Sequence, residues 1–244
     1  MAQRFWKAIQ FFILQDACNL FIRSNPMFHA DGPGWTAYGW GWRALAAAVW
    51  GFNIYSVMML GSLLFSAVCV ACRISEPEEW PLLFGGPREA YSIRRFWGRA
   101  WHQFMRRYVS THGKYLAQHL LRLPSGGNAS AYVQLYTAFL ISGLIHYIAE
   151  TMALDHWRGG AMPFFMFQAC AITVEDFILF AARKAGIRDG WAVRAVGYAW
   201  TWAWLALTLP GWQESLVHGG QMEEGLPVSV LMGVWQGEWV LRSR

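Results

Sequence analysis

Residues 44–72 read ALAAAVWGFNIYSVMMLGSLLFSAVCVAC, with no charged side chain anywhere in the run. As a helix rising about 1.5 Å per residue, the stretch is about 44 Å long, enough to cross a hydrocarbon core of about 30 Å with tilt. A soluble domain of this size has no use for such a segment. Working outward, three more long apolar stretches follow at 131–149, 161–182 and 192–212, and a shorter one covers 226–239. Towards the N-terminus, residues 5–22 are apolar but interrupted by Asp16, which reads as either an imperfect span or an interfacial helix. Residues 30–42 mix Gly32, Pro33, Gly34, Gly39 and Gly41 with aromatics and read as a loop at the membrane surface. The fold class expected is all-α: a polytopic transmembrane helical bundle of about four to six spans with interfacial helices.

Composition agrees. The chain has 244 residues, 55% of them hydrophobic and 14% charged, against about 25% charged in ordinary soluble domains. Its 16 Trp and 16 Phe exceed what one soluble core needs, and indoles suit membrane interfaces, half wet and half buried. The net charge of +5 does not point to nucleic acid, because the cations are gathered in one region. The interval 73–130 carries nine Lys/Arg, among them Arg94, Arg95, Arg99, Arg106 and Arg107. Charge bias puts such an interval on the cytoplasmic side.

Cys18, Cys69, Cys72 and Cys170 all fall in apolar stretches and read as small core residues, including the Cys69-x-x-Cys72 pair. No removed signal peptide is expected, since Gln15, Asp16 and Asn19 interrupt the first apolar run and no small-residue cleavage site follows. No repeat or low-complexity linker divides the chain, so 1–244 reads as a single membrane domain. Asn128-Ala129-Ser130 fits a glycosylation acceptor but lies on the expected cytoplasmic side, and is read as a chance match.

Two stretches carry possible chemistry. The first is Trp80-Pro81-Leu82-Leu83-Phe84-Gly85 followed by Tyr91-Ser92-Ile93-Arg94-Arg95-Phe96-Trp97-Gly98-Arg99-Ala100-Trp101-His102-Gln103. It is basic and aromatic at once. One reading is an interfacial amphipathic helix. The other is an anion site for a phosphorylated co-substrate, because guanidinium forks match phosphate oxygens. The second stretch is Ser142-Gly143-Leu144-Ile145-His146, at the end of an uncharged run. An ionisable group at membrane depth is expensive unless it pairs or works. Glu150, one turn on, shares its face and could orient the imidazole, or the two could be a structural pair. No metal is expected, since His146 and Glu150 lack the repeated histidine clusters of a di-iron hydroxylase. His112 and His119 read as surface residues. Glu175 and Asp176, adjacent inside an apolar stretch, call for an interior location with a cation as partner, or for a break in the helix.

The Pro-Leu-Leu-Phe-Gly, Tyr-Ser-Ile-Arg-Arg-Phe-Trp-Gly-Arg-Ala-Trp-His-Gln and Phe-Leu-Ile-Ser-Gly-Leu-Ile-His sequences together resemble the wax-synthase-like branch of the membrane-bound O-acyltransferases. The likeness is greatest to fungal members that acetylate secondary metabolites such as terpenoids and meroterpenoids, and it covers about 76–212. The family's catalytic His falls on His146, and its earlier polar position on His102. The resemblance implies acyl-CoA (acetyl-CoA) as co-substrate with no permanently bound cofactor, a hydrophobic alcohol acceptor, and no covalent acyl-enzyme. It also implies a multi-pass protein of the endoplasmic reticulum bilayer. In that scheme His146 is the general base, Glu150 its orienter, and His102 positions the thioester or stabilises the oxyanion. Arg94, Arg95 and Arg99, with Trp97 and Trp101 among them, receive the coenzyme A phosphates. Family members carry more helices ahead of the first motif, so the N-terminal part is short by comparison. Two alternatives remain open at this point: a membrane terpene cyclase using the buried acids Glu150, Glu175 and Asp176, and a truncated, inactive acyltransferase.

Overall fold

The computed structural model describes residues 2–222 and 225–240. In chain order they form α1 (Ala2–Ser24), α2 (Trp40–Ala71), the one-turn α3 (Ile93–Arg95), α4 (Arg106–Tyr115), α5 (Asn128–Leu154), α6 (Ala161–Lys184), α7 (Trp191–Thr208), α8 (Pro210–His218) and α9 (Val230–Gln236). Among the described residues the extended pairing is confined to a single bridge, Val228 to Val240, so the chain is all-α as expected. Among the described residues three helices are long and apolar enough to cross a membrane: α2, α5 and α6. The other apolar stretches form shorter or more polar helices. The 192–212 stretch is divided by buried Pro210, which starts α8 because it has no N–H to continue the ladder.

The chain groups into two compact units, one made of residues up to Leu83 together with those from Leu216 onward, the other of Phe84–Ser215. In the first unit, α1 runs unbroken through Asp16. Its polar stripe is spent on tertiary hydrogen bonds. Gln15 donates to Asn53 at 2.8 Å and accepts from Ser56 at 2.6 Å, joining α1 to α2. Asp16, fully buried, accepts the Leu231 N–H at 2.9 Å and so helps cap α9, whose N-cap is Ser229.

The second unit is built on α5 and α6. Tyr132 donates to Asp176 at 3.1 Å, Tyr136 meets Thr173 at 3.2 Å, and Gly143 sits against Met162 and Phe165. Partner numbers fall along α6 as they rise along α5, so the two helices are antiparallel. A Cβ at Gly143 would come within 3.2 Å of the Phe165 Cβ, and the small residue lets the backbones close up.

The basic-aromatic stretch does not form the interfacial helix that is one reading of its sequence. Ser92 caps α3 by accepting the Arg95 N–H, and Glu175 accepts the N–H groups of Ile93 and Arg94 at 2.9 and 3.1 Å. The Arg94 guanidinium then grips Asp176 with both prongs. The adjacent acids of α6 thus have a structural use: one caps a helix turn, the other pairs with a cation. Beyond α3 the chain continues as a π-turn, Phe96–Ala100. Its Trp97 ring packs 5.9–6.2 Å from Phe139, Phe164 and Phe165 of the two long helices. Part of the interval expected to lie at the cytoplasmic surface therefore runs along the helices α5 and α6. Irregular backbone of this kind is tolerated where protein surrounds it.

Candidate active site

Gly85 explains the Pro-Leu-Leu-Phe-Gly sequence. Its N–H donates to the Ala100 carbonyl at 3.0 Å, and a Cβ there would fall on the Arg99 carbonyl oxygen. Only glycine permits the approach, and it brings Phe84 edge-on to Trp101 (5.3 Å between centroids) and His102 (6.2 Å). His102 is thereby fixed just past the π-turn, with Nδ1 buried and lacking a hydrogen-bond partner. Burial pushes this imidazole below its ordinary value, and the nearby charge of a protonated His146 would push it the same way. Trp101 and Trp97 lead from His102 to Phe165, which packs on His146, so the two histidines, forty-four residues apart in sequence, lie along one run of aromatic contacts.

The sign of the shift gives a prediction. The unfolded chain takes up a proton at His102 near pH 6.5, whereas the folded chain resists until a lower pH. The contribution is neutral above about pH 6.5 and costs stability as pH falls below it. Thermal unfolding in detergent at pH 7.5 and 5.5 should show a larger loss for the natural chain than for His102→Asn. Equal losses would remove His102 from the pH dependence.

His146 lies on α5 with its Nδ1 at 2.8 Å from the Ser142 carbonyl oxygen one turn back. A carbonyl accepts only, so Nδ1 carries the proton and Nε2 presents its lone pair. The ring is held by Phe165 at 4.6 Å, tilted by 32°, and by Trp212 at 5.2 Å, edge to face. Both partners sit in the apolar stretches of the sequence, where one more aromatic carries no signal.

Glu150 does not orient His146 through a hydrogen bond, contrary to the sequence reading. Its carboxylate accepts the N–H groups of Gly160 (3.1 Å) and Ala161 (3.0 Å) at the start of α6, and the Ser215 hydroxyl of α8. A helix N-terminus offers free N–H donors, and a carboxylate there is favoured by the dipole as well. Gly159 leaves room for it, since a Cβ there would strike the carboxylate. Glu150 acts one step removed, by fixing α6, which carries Phe165, and α8, which carries Trp212.

The arginines divide. Arg94 is committed to Asp176. Arg95 pairs with Glu89 and lies over the Tyr91 ring at 4.4 Å. Arg99 reaches the same Glu89 at 3.2 Å, but its side chain is 57% exposed, the least committed of the three. Trp97 and Trp101 belong to the aromatic wall around the histidines. Behind that wall sits Gln168, fully buried: its Oε1 accepts the indole N–H of Trp97 (3.3 Å) and of Trp204 (3.0 Å), and its Nε2 donates to the Phe164 carbonyl and the Thr208 hydroxyl. The sequence reading passed over it, although a lone amide in the 161–182 stretch was a visible signal. His112 and His119 are exposed, as expected. Among the described residues no group of three or more His, Cys, Asp or Glu is placed to hold a metal.

Both histidines lie within a segment that matches a known family. Residues 80–167 fit the model of the membrane bound O-acyl transferase family. This segment is similar to that family. Over 237 residues the chain is 38% identical to a protein named acetyltransferase eriL from Hericium erinaceus, covering 95% of this chain and 61% of that one. It is 41% identical over 201 residues to acetyltransferase ple2 from Rhodocybe pseudopiperita, covering 81% and 53%. A third relative, 33% identical over 209 residues, is named O-mevalon transferase macI, from Penicillium terrestre, with coverage of 78% and 46%. The chain thus spans about half to three fifths of the length of these relatives. No solved structure matches it.

Proposed function

We propose that the chain transfers an acyl group, acetyl in the first instance, from acyl-CoA to the hydroxyl of a hydrophobic acceptor such as a terpenoid or meroterpenoid. The observation that carries this is the paired setting of His146 and His102: one imidazole with its Nε2 lone pair presented, the other with a buried, unpartnered Nδ1. An alcohol is far too weak an acid to ionise at neutral pH, so a base must take its proton as it attacks. His146 Nε2 takes that proton. The oxygen–acyl bond forms, and the charge developing on the thioester oxygen is met by a hydrogen bond from His102. The carbon–sulfur bond then breaks, and the imidazolium returns its proton to the departing coenzyme A thiolate. No acyl-enzyme is required.

The acceptor enters from the bilayer, along the side where Trp200 and Trp202 are partly exposed. Coenzyme A approaches from the cytoplasmic face of the endoplasmic reticulum, with its phosphates at Arg99 and, beside it, Arg95. Arg99→Gln is expected to raise the KM for acyl-CoA about tenfold with little change in kcat, the loss of one charge-assisted contact. Arg94→Gln should instead lower thermal stability, because it removes the cation from Asp176 and leaves that carboxylate the Tyr132 hydroxyl. A raised donor KM from Arg94→Gln alone would reverse these assignments.

The cyclase reading loses ground for a specific reason. Glu150, Glu175 and Asp176 are each engaged as acceptors of two or more N–H or O–H donors, and a proton-delivering acid has to be free to donate. Membranes carrying the chain, given radiolabelled acetyl-CoA with a panel of terpenoid alcohols and separately a polyprenyl epoxide, distinguish the cases. Labelled ester supports the proposal. Cyclised product, or neither, contradicts it. Because one relative is named for a mevalon group, longer acyl-CoA donors belong in the same panel.

A further inference from the structure

We propose that α4 and the turn that follows it form a binding surface for the phosphate headgroups of anionic phospholipids. The helix has three faces. At about 100° per residue, Val109 and Gly113 fall together near 300–340° from Arg106, and these are the buried positions, with Gly113 against the backbone of Gln134 in α5. Tyr108 and Tyr115 fall near 180–200° and are exposed, as are Phe104 before the helix and Leu120 and Leu121 after it. Arg106, Arg107 and Lys114 occupy the sector from 0° to about 100°, all exposed, and exposed Arg122 follows the π-turn Leu116–Leu120.

An apolar aromatic flank beside a cationic one is the arrangement of a helix lying in a bilayer interface. The chemistry selects the lipid. Between Glu89 and Glu150 there is not one acidic residue, while seven Lys and Arg lie in that interval. Arg107, Lys114 and Arg122 make no ion pair among the described residues. The same end of the antiparallel pair carries Arg183 and Lys184 in the last turn of α6. Cations left free of carboxylates beside an apolar flank complement a headgroup with net negative charge, and zwitterionic headgroups offer them far less. The proposal does not depend on the acyl-transfer reading.

The test is lipid retention by the purified full chain. Solubilised with phosphatidylcholine and phosphatidylglycerol at four to one, the natural chain should carry phosphatidylglycerol enriched over the mixture. Removal of each cation should cost about fivefold in that preference. The triple variant Arg107→Gln, Lys114→Gln, Arg122→Gln is expected to retain the two lipids in the supplied ratio, with unchanged helicity and thermal midpoint. If the triple variant fails to fold, the single variants Arg107→Gln and Lys114→Gln carry the comparison. Raising salt to 0.5 M should weaken the natural chain's preference in the same direction. Equal enrichment in natural and variant chains overturns the proposal. So does displacement of the lipid by free coenzyme A or inorganic phosphate, which would give the face to a soluble phosphate ligand.

Discussion

His146→Gln is expected to lower acyl transfer by about 10²–10⁴-fold while the chain stays folded, the usual contribution of a positioned general base. Glutamine can reproduce a hydrogen bond to the Ser142 carbonyl but has no basic nitrogen to present. The neighbours of His146, Phe165 and Trp212, touch the imidazole through ring faces and edges and not through hydrogen bonds. The variant therefore leaves no buried polar partner unsatisfied, and its helicity and thermal midpoint should stay close to those of the natural chain. The loss should fall on kcat, with the KM for acyl-CoA little changed, because the group acts only as the proton moves. Turnover within a few-fold of the natural chain would take His146 out of the chemistry.

Glu150→Leu is expected to be the most destabilising single change in the second unit. The carboxylate is 3% exposed and accepts from two backbone N–H groups and one hydroxyl. Removing it strands donors in an apolar setting at about 1–3 kcal/mol each, so a total of about 2–4 kcal/mol is reasonable after relaxation. Glu150→Gln, which keeps one acceptor oxygen, should recover part of that loss. Activity should follow stability, because α6 and α8 carry the rings that hold His146. The measurement is thermal inactivation in detergent for the two variants. An unaltered midpoint for Glu150→Leu would mean that the start of α6 is held by something else, while a folded but inactive Glu150→Gln would restore a direct role beside His146.

Much of this was readable in the chain, and the reasons are physical. Apolar length showed α2, α5 and α6, because a helix so long and so apolar has few alternatives. The cost of two acids in an apolar helix called for an interior cation partner or a helix break; Asp176 meets the Arg94 guanidinium, whereas Glu175 takes the backbone N–H groups of Ile93 and Arg94. The bonds of Glu150 to the start of α6 were not legible, because an i, i+4 relation states which face a side chain shares, not which donors compete for it. The free N–H groups at the start of α6, ten residues on, attract a carboxylate more strongly than a neutral imidazole does. The basic-aromatic stretch misled in a related way. Its pattern suits an interface, but Gly85 and Glu175 hold it against the helices, and the amphipathic helix exposed at the surface is the next one, α4. Gln168 was invisible as a hub because its four partners come from three separate segments of the chain.

If His102 and His146 act together in one site, as proposed, a double-mutant cycle on kcat/KM for acyl transfer will show it most directly, with His102→Asn, His146→Gln and the pair. Residues acting together on one reacting group give strongly non-additive losses. The expected result is a double variant no more than a few-fold slower than His146→Gln alone. Losses that multiply in full would mean that the two histidines act independently, and would contradict the account.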